Sequence, residues 1–284
     1  MTMCNISTEL PMKIGALLRC KPGGSIREEF EKAKNLGLDC CQLNIWEPEF
    51  YTDENAAEIV KWSEATGIEV SAVWAGWSGD KAWDLRNGPL TIGLVPVEQR
   101  YKRLKELMDG GDFAQKIGCT DIITHVGFIP ENPCHPDYIG TIGALKTLAR
   151  YLKAKGLNFL FETGQETPIT LVRAIQDIGT DNLGINFDTA NLVINGKGNS
   201  LDAVDVFGQY VKNTHCKDCT FPTSGYERGH QVPLGEGVVN FKAIFHKLRE
   251  IGYTGPWCIE REITGEQQVK DIGLAKDYIL SLVK

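Results

Sequence analysis

The chain has 284 residues, 42% of them hydrophobic and 24% charged, an ordinary globular composition with enough apolar material for a sizeable core. A net charge of −7 offers no broad basic surface to a phosphate backbone, which disfavours nucleic acid as a partner. No apolar run is long enough to cross a bilayer, and the opening MTMCNISTELPMKIG lacks the basic and then apolar order of a signal peptide, so a cytoplasmic protein with no membrane partner is expected.

In chain order, apolar runs rich in β-branched and aromatic residues fall at 12–19, 39–47, 68–76, 121–128, 157–164, 183–191, 211–218 and 256–262. Segments with helical spacing separate them. In SIREEFEKAKNLG the residues Ile26, Phe30 and Ala33 form a stripe and Gly37 supplies the stop; VEQRYKRLKELMDGGDFAQKIG and FKAIFHKLREIG, closed by Gly252, read the same way. Eight strand-and-helix units with no linker or compositional break predict an α/β fold, a (β/α)8 TIM barrel in one domain spanning 1–284. An open dinucleotide-binding sheet would want a GxGxxG turn after its first strand, where this chain reads RCKPGGSIREE.

Two connections are long, 74–96 and 219–239, and both leave the C-terminal end of a strand, where barrel enzymes build their sites. They read as candidate lids carrying Trp74, Trp77, Trp83, Tyr226 and His230. Strands five to eight each end on a metal-ligating side chain: Glu162 in FET, Asp188 in FDT, His215 in THC and Glu260 in IER. One imidazole and three carboxylates suit a divalent ion, Mn2+ foremost and otherwise Mg2+, Co2+, Fe2+ or Zn2+, with positions left for substrate oxygens.

At these residues, and in HCKD followed by PLGEGVVNFKAIFHKLREIGYTGPWCIERE, the chain resembles the xylose-isomerase-like barrels. That group of sugar phosphate isomerases and epimerases includes ketose 3-epimerases, hydroxypyruvate isomerase, inosose dehydratase and the apurinic endonuclease. The resemblance implies that Glu162, Asp188, His215 and Glu260 hold the metal, with Glu162 and Glu260 also the catalytic acid/base pair. Physical chemistry agrees: a metal gripping a ketose carbonyl and a neighbouring hydroxyl acidifies the C–H between them, two flanking carboxylates can remove and return the proton, and an enediolate lies between. The expected function is a metal-dependent isomerase or epimerase of a sugar or polyol. A dehydratase-type lyase using the same chemistry is the alternative, followed by a noncatalytic sugar-binding barrel and by DNA repair.

Further residues follow from alternation and position. His125 matches a family position that lines the site; Lys217 shares the facing of His215; Glu262 is expected to share that of Glu260 if the strand persists. Asn191, Glu166, Arg228 and His230 are read as sugar contacts; Trp46, Trp74 and Trp77 together offer an apolar face for a sugar ring, with core or lid packing the more common use of any single one. Departures from the family matter too. The end of the third strand, VWAGW, has no histidine, and Asn191 stands three after Asp188 where the endonuclease and several epimerases carry histidine; both weigh against DNA repair. No phosphate cradle is evident around GKG at 196–198. Most of the nine cysteines fall inside apolar segments and read as buried thiols, and Cys216 and Cys219, although spaced CxxC, have no second pair to complete a zinc knuckle. Association into a homo-oligomer is left open.

Overall fold

In the computed structural model, which describes residues 12–283, ten strands follow one another: β1 (Ile14–Cys20), β2 (Cys40–Ile45), β3 (Glu69–Ala75), β4 (Asp121–Thr124), β5 (Asn158–Glu162), β6 (Leu183–Asp188), β7 (Val211–Cys216), β8 (Asp218–Cys219), β9 (Gln231–Val232) and β10 (Trp257–Ile259). Eight of them close in the order β1-β10-β7-β6-β5-β4-β3-β2 with every ladder parallel, and helices run outside between successive strands. This is the (β/α)8 TIM barrel that the alternating runs predict.

Helix ends follow local chemistry. Ser25 caps the helix Ile26–Asn35 by accepting the Glu28 N–H, Ile26, Phe30 and Ala33 are its buried face, and Gly37 leaves it at φ +62°. Helices Val97–Lys116 and Phe241–Glu250 also stand where the spacing places them. The core lies mainly between the barrel and its helices, where outward-facing residues such as Val73, Phe159, Phe161, Ile185 and Phe187 are buried. Both faces of a parallel strand are covered, which is why these strands read as continuous apolar runs.

Inward-facing residues alternate with that set. They are Gln42 and Asn44 on β2, Ala72 and Trp74 on β3, Leu160 and Glu162 on β5, Asn186 and Asp188 on β6, and Asn213 and His215 on β7. Because side chains at the C-terminal ends face the barrel mouth, Glu162, Asp188 and His215 converge there; the register pairs Asp188 with His215 and Glu162 with Asn186.

Several strands stop short of the expected runs, the fourth at Thr124 instead of 128 and the sixth at Asp188 instead of 191, and the endings of the seventh and eighth bear on the site. The seventh, expected through 218, leaves the barrel after Cys216, and Asp218–Cys219 pairs instead with Gln231–Val232 in an antiparallel ladder. The cause is the buried Asp218 carboxylate, which accepts the N–H groups of Cys219 at 2.8 Å and of Gly235, Gly237 and Val239 at 3.0 Å each. A side chain at 237 would put a Cβ 2.1 Å from Asp218 Oδ1, and Gly235 sits at φ +92°, so PLGEG is shaped by this one carboxylate. The eighth run, expected through 262, pairs only over Trp257–Ile259, so alternation does not orient Glu262.

Candidate metal centre

Glu162, Asp188, His215 and Glu260 meet at the barrel mouth, with one potential ligand atom from each lying within 4.8 Å of all the others. His215 Nδ1 stands 3.0 Å from Glu162 Oε1, 3.3 Å from Glu260 Oε2 and 3.7 Å from Asp188 Oδ2. The side chains of Asp188 and His215 are fully enclosed, that of Glu162 is 2% exposed and that of Glu260 11% exposed, so water cannot screen three carboxylates held this close.

The donor chemistry fits a divalent cation. Oxygen and nitrogen ligands at about 2.1–2.4 Å from a common ion stand at most about 4.2–4.8 Å apart, the spacing found here. Asp188 Oδ2 is buried and makes no hydrogen bond among the described residues, with the Lys217 ammonium at 3.5 Å and His215 Nδ1 at 3.7 Å as its neighbouring cationic groups, while its Oδ1 accepts the N–H groups of Ala190 at 2.8 Å and Asn191 at 2.7 Å. One oxygen is thus fixed by backbone and the other presented to the cluster.

Charge in the site is heavily correlated. Burial pushes Glu162 up, but the imidazoles of His125 and His215 outweigh it and hold this carboxyl well below the usual range. Burial likewise opposes Glu260, yet the Lys217 ammonium and His215 hold it down to about 2. Asp188 goes the other way, pushed up to about 6 by burial that Lys217 only partly offsets. Burial lowers His215, and Glu162 and Glu260 more than reverse it, placing it well above the ordinary imidazole value. The same carboxylates that hold a proton on Nδ1 would attract a metal ion in its place.

Lys217 lies inside the site. Its ammonium contacts Glu262 Oε1 at 2.6 Å, Glu260 Oε2 at 3.0 Å, Asn191 Oδ1 at 3.2 Å and Asp188 Oδ2 at 3.5 Å. Glu262, with its side chain 57% exposed, reaches the site through this lysine rather than through strand alternation. Asn191 Nδ2 donates to Glu162 Oε1 at 3.2 Å, His125 Nε2 lies 3.3 Å from the same oxygen, and the Trp74 indole N–H donates to Glu162 Oε2.

Above the cluster opens a cavity of about 320 Å3 whose lining includes Asn44, Trp46, Trp74, Trp83, His125, Gln165, Asn191, Arg228 and Glu262. Trp46 is the hub of its indole wall, 4.2 Å from Trp74 and 5.8 Å from Trp83 between ring centroids. The Arg228 guanidinium sits 5.8 Å from the Trp83 ring. The side-chain carbonyls of Asn44 and Gln165 are buried without a hydrogen-bond partner among the described residues.

The structure therefore brings together Glu162, Asp188, His215, Glu260, His125, Asn191, Lys217, Arg228, Trp46 and Trp74. It separates three others from the cavity. His230 is exposed, its backbone engaged with Thr220 in the loop that Asp218 organises. Glu166 is 3% exposed but is not part of the lining; it ends the bend 164–166 that leads into the helix Pro168–Ile178, while its neighbour Gln165 does line the cavity. Trp77 packs fully buried against Trp46 and Trp74, the core use expected of any single tryptophan here. Sequence reasoning passed over Asn44 and Gln165. Asn44 was within reach, since Gln42, Asn44 and Trp46 alternate through DCCQLNIW on one strand face.

Cys216 packs outward among the helices and Cys219 against Ala190, Val193 and Ile194. Burial pushes each thiol up to about 12, which suits packing and not thiolate chemistry. Among the described residues no helix is long and apolar enough to cross a membrane.

Known proteins share this fold. A solved xylose isomerase domain protein from Planctomyces limnophilus superposes with a TM-score of 0.90 at 35% identity, covering 95% of this chain and 97% of that one. A D-tagatose 3-epimerase-like protein shares the fold at a TM-score of 0.74 and 20% identity, covering 96% and 97%. Inosose dehydratase of Geobacillus thermodenitrificans is 23% identical over 137 residues, so the chain spans 46% of that relative's length and matches with 43% of its own. The pattern of the xylose isomerase-like TIM barrels matches residues 30–278, and the chain belongs to that family.

Proposed function

We propose that this protein is a divalent-metal-dependent isomerase or epimerase acting on an uncharged sugar or polyol. The observation that carries the proposal is the buried Glu162, Asp188, His215 and Glu260 cluster opening directly into an indole-walled cavity. Those four residues would hold the ion, Mn2+ being our first choice. When bound it would polarise a ketone and an adjacent hydroxyl of the substrate and acidify the C–H between them.

The chain's own groups supply the rest. Glu162 and Glu260 approach the cluster from β5 and from the end of β10, so a substrate lying between them would meet a carboxylate on each side. One takes the proton and the other returns it, on the opposite face for epimerisation or at the neighbouring carbon for isomerisation. Neighbouring cations hold both carboxyls low in the free site, so either can act as the base, and the one that returns a proton must first take one up from solvent or from the substrate. Trp74 and Asn191 restrain the Glu162 carboxylate, one on each oxygen, and the Lys217 ammonium steadies Glu260. Trp46, Trp74 and Trp83 exclude water and offer ring faces to sugar C–H groups, while the unpartnered amides of Asn44 and Gln165 suit hydroxyls, which both donate and accept. The mouth is acidic, and its guanidinium, Arg228, already feels Glu262 and Asp84, which favours a neutral substrate over a phosphorylated one.

The match to inosose dehydratase favours a second reading, in which the same proton removal expels a β-hydroxyl. Incubation of the metal-loaded protein in D2O with ketoses and cyclic keto-polyols separates them. Deuterium in an isomeric sugar supports the isomerase, and loss of water supports the lyase. Metal and sugar binding with neither outcome would leave a binding protein.

A further inference from the structure

His215 makes a second contact that the ligand cluster does not explain. Its Nε2 lies 2.7 Å from Gln42 Oε1, on β2 across the barrel. Gln42 Nε2 in turn donates to Asn213 Oδ1 at 2.8 Å and to Asn186 Oδ1 at 3.0 Å. All four side chains are at most 1% exposed.

The orientation of this chain follows from a backbone atom. The Thr214 N–H donates to Asn213 Oδ1 at 3.0 Å, so that atom must be an oxygen. Gln42 must then turn its NH2 toward Asn213, which leaves its carbonyl facing His215 Nε2. An acceptor at 2.7 Å demands a hydrogen on Nε2, and a neutral imidazole protonated there carries its lone pair on Nδ1, the nitrogen facing Glu162, Glu260 and Asp188. Ladder irregularities occur at Cys41/Gln42 and at Ile185/Asn186, where a bulge re-aims side chains.

We propose that Gln42 is a positioning residue that fixes the tautomer and ring orientation of His215, committing Nδ1 to the metal. The inference rests on the metal-site reading above and adds to it a specified ligand atom and a residue 173 positions away that determines it.

The test uses the full chain with 15N-labelled histidine and Zn2+, a diamagnetic probe. In the wild type, long-range 1H–15N spectra are expected to show His215 protonated at Nε2 and coordinated at Nδ1. Gln42→Met, which removes the acceptor while keeping volume, should weaken Zn2+ and Mn2+ binding about 10- to 100-fold. Gln42→Glu, whose neutral carboxyl can accept from Nε2–H and donate to Asn213, should retain most of that affinity and the same tautomer. A purely structural role predicts that both variants lose thermal stability with no such difference in metal affinity. A wild-type protein that binds no metal overturns the metal reading and this proposal with it. Metal binding with His215 attached through Nε2, or with Gln42→Met unchanged in affinity, overturns the proposal alone.

Discussion

One side of the barrel interior, on β3 to β5, is filled by Ala72, Trp74, Ile123 and Leu160, and it continues upward into the indole wall of the cavity. The other, on β6, β7 and β2, is built from Asn186, Asp188, Asn213, His215 and Gln42, each buried and polar. Apolar residues constrain one another mainly through volume, and swaps that conserve it are tolerated. Buried polar groups are stable only when paired, so each one dictates the identity of its neighbour. The polar side thus constrains the reaction chemistry through residue type, while the apolar side constrains what fits above it through shape.

Substitutions on the two sides should therefore fail differently. The largest effect is expected for Glu162→Gln and Glu260→Gln, each lowering kcat by about 10²- to 10⁴-fold on whichever keto-sugar is turned over, with the protein still folded. Unchanged turnover in both would remove the acid/base role from the polar cluster at the barrel mouth. Next comes Asp218→Ala, which strands four backbone donors and should cost on the order of 3 kcal/mol, a fall of roughly 10 °C in Tm by calorimetry.

Glu166 gives a pH test. Burial pushes it up to about 7, above its unfolded value near 4.5, so the folded state holds the extra proton between those values. Its contribution to stability is complete below about pH 4.5 and is lost as pH rises toward and through 7. Glu166→Gln should flatten that slope and gain about 1–3 kcal/mol at pH 8 in urea titrations; an unchanged slope would show that water already solvates the carboxylate. The smallest effect belongs to the apolar side: Trp83→Ala should raise KM about 10-fold with kcat within about threefold, because it removes a platform and no reacting group. A kcat loss as large as that of the glutamates would erase the contrast between the two sides.

Legibility in the sequence follows the same division. The eight strands and the four acidic and imidazole side chains at their ends can be read because periodicity and local position carry them, as in FET and FDT. What remained hidden depends on contacts distant in sequence. Gln42 meets His215 across 173 residues, and the Trp74 indole reaches Glu162 across 88. Asp218 looked like the tail of a strand, yet its carboxylate draws in N–H groups up to 21 residues ahead and diverts the chain into a hairpin. Glu166 and His230 are polar residues in loops beside strand ends, but polarity does not say which of two adjacent loop residues, Gln165 or Glu166, lines the cavity, or that the backbone of His230 pairs with Thr220.

The most direct test of the central claim is proton exchange. The metal-loaded protein is incubated in D2O with a panel of unphosphorylated ketoses and cyclic keto-polyols, and C–H signals are followed by NMR. For at least one substrate the account predicts loss of a single C–H signal next to the carbonyl, dependent on the added divalent ion and abolished in the Glu162→Gln, Glu260→Gln double variant. Exchange that persists in the double variant, or its absence from every substrate that binds, would contradict it.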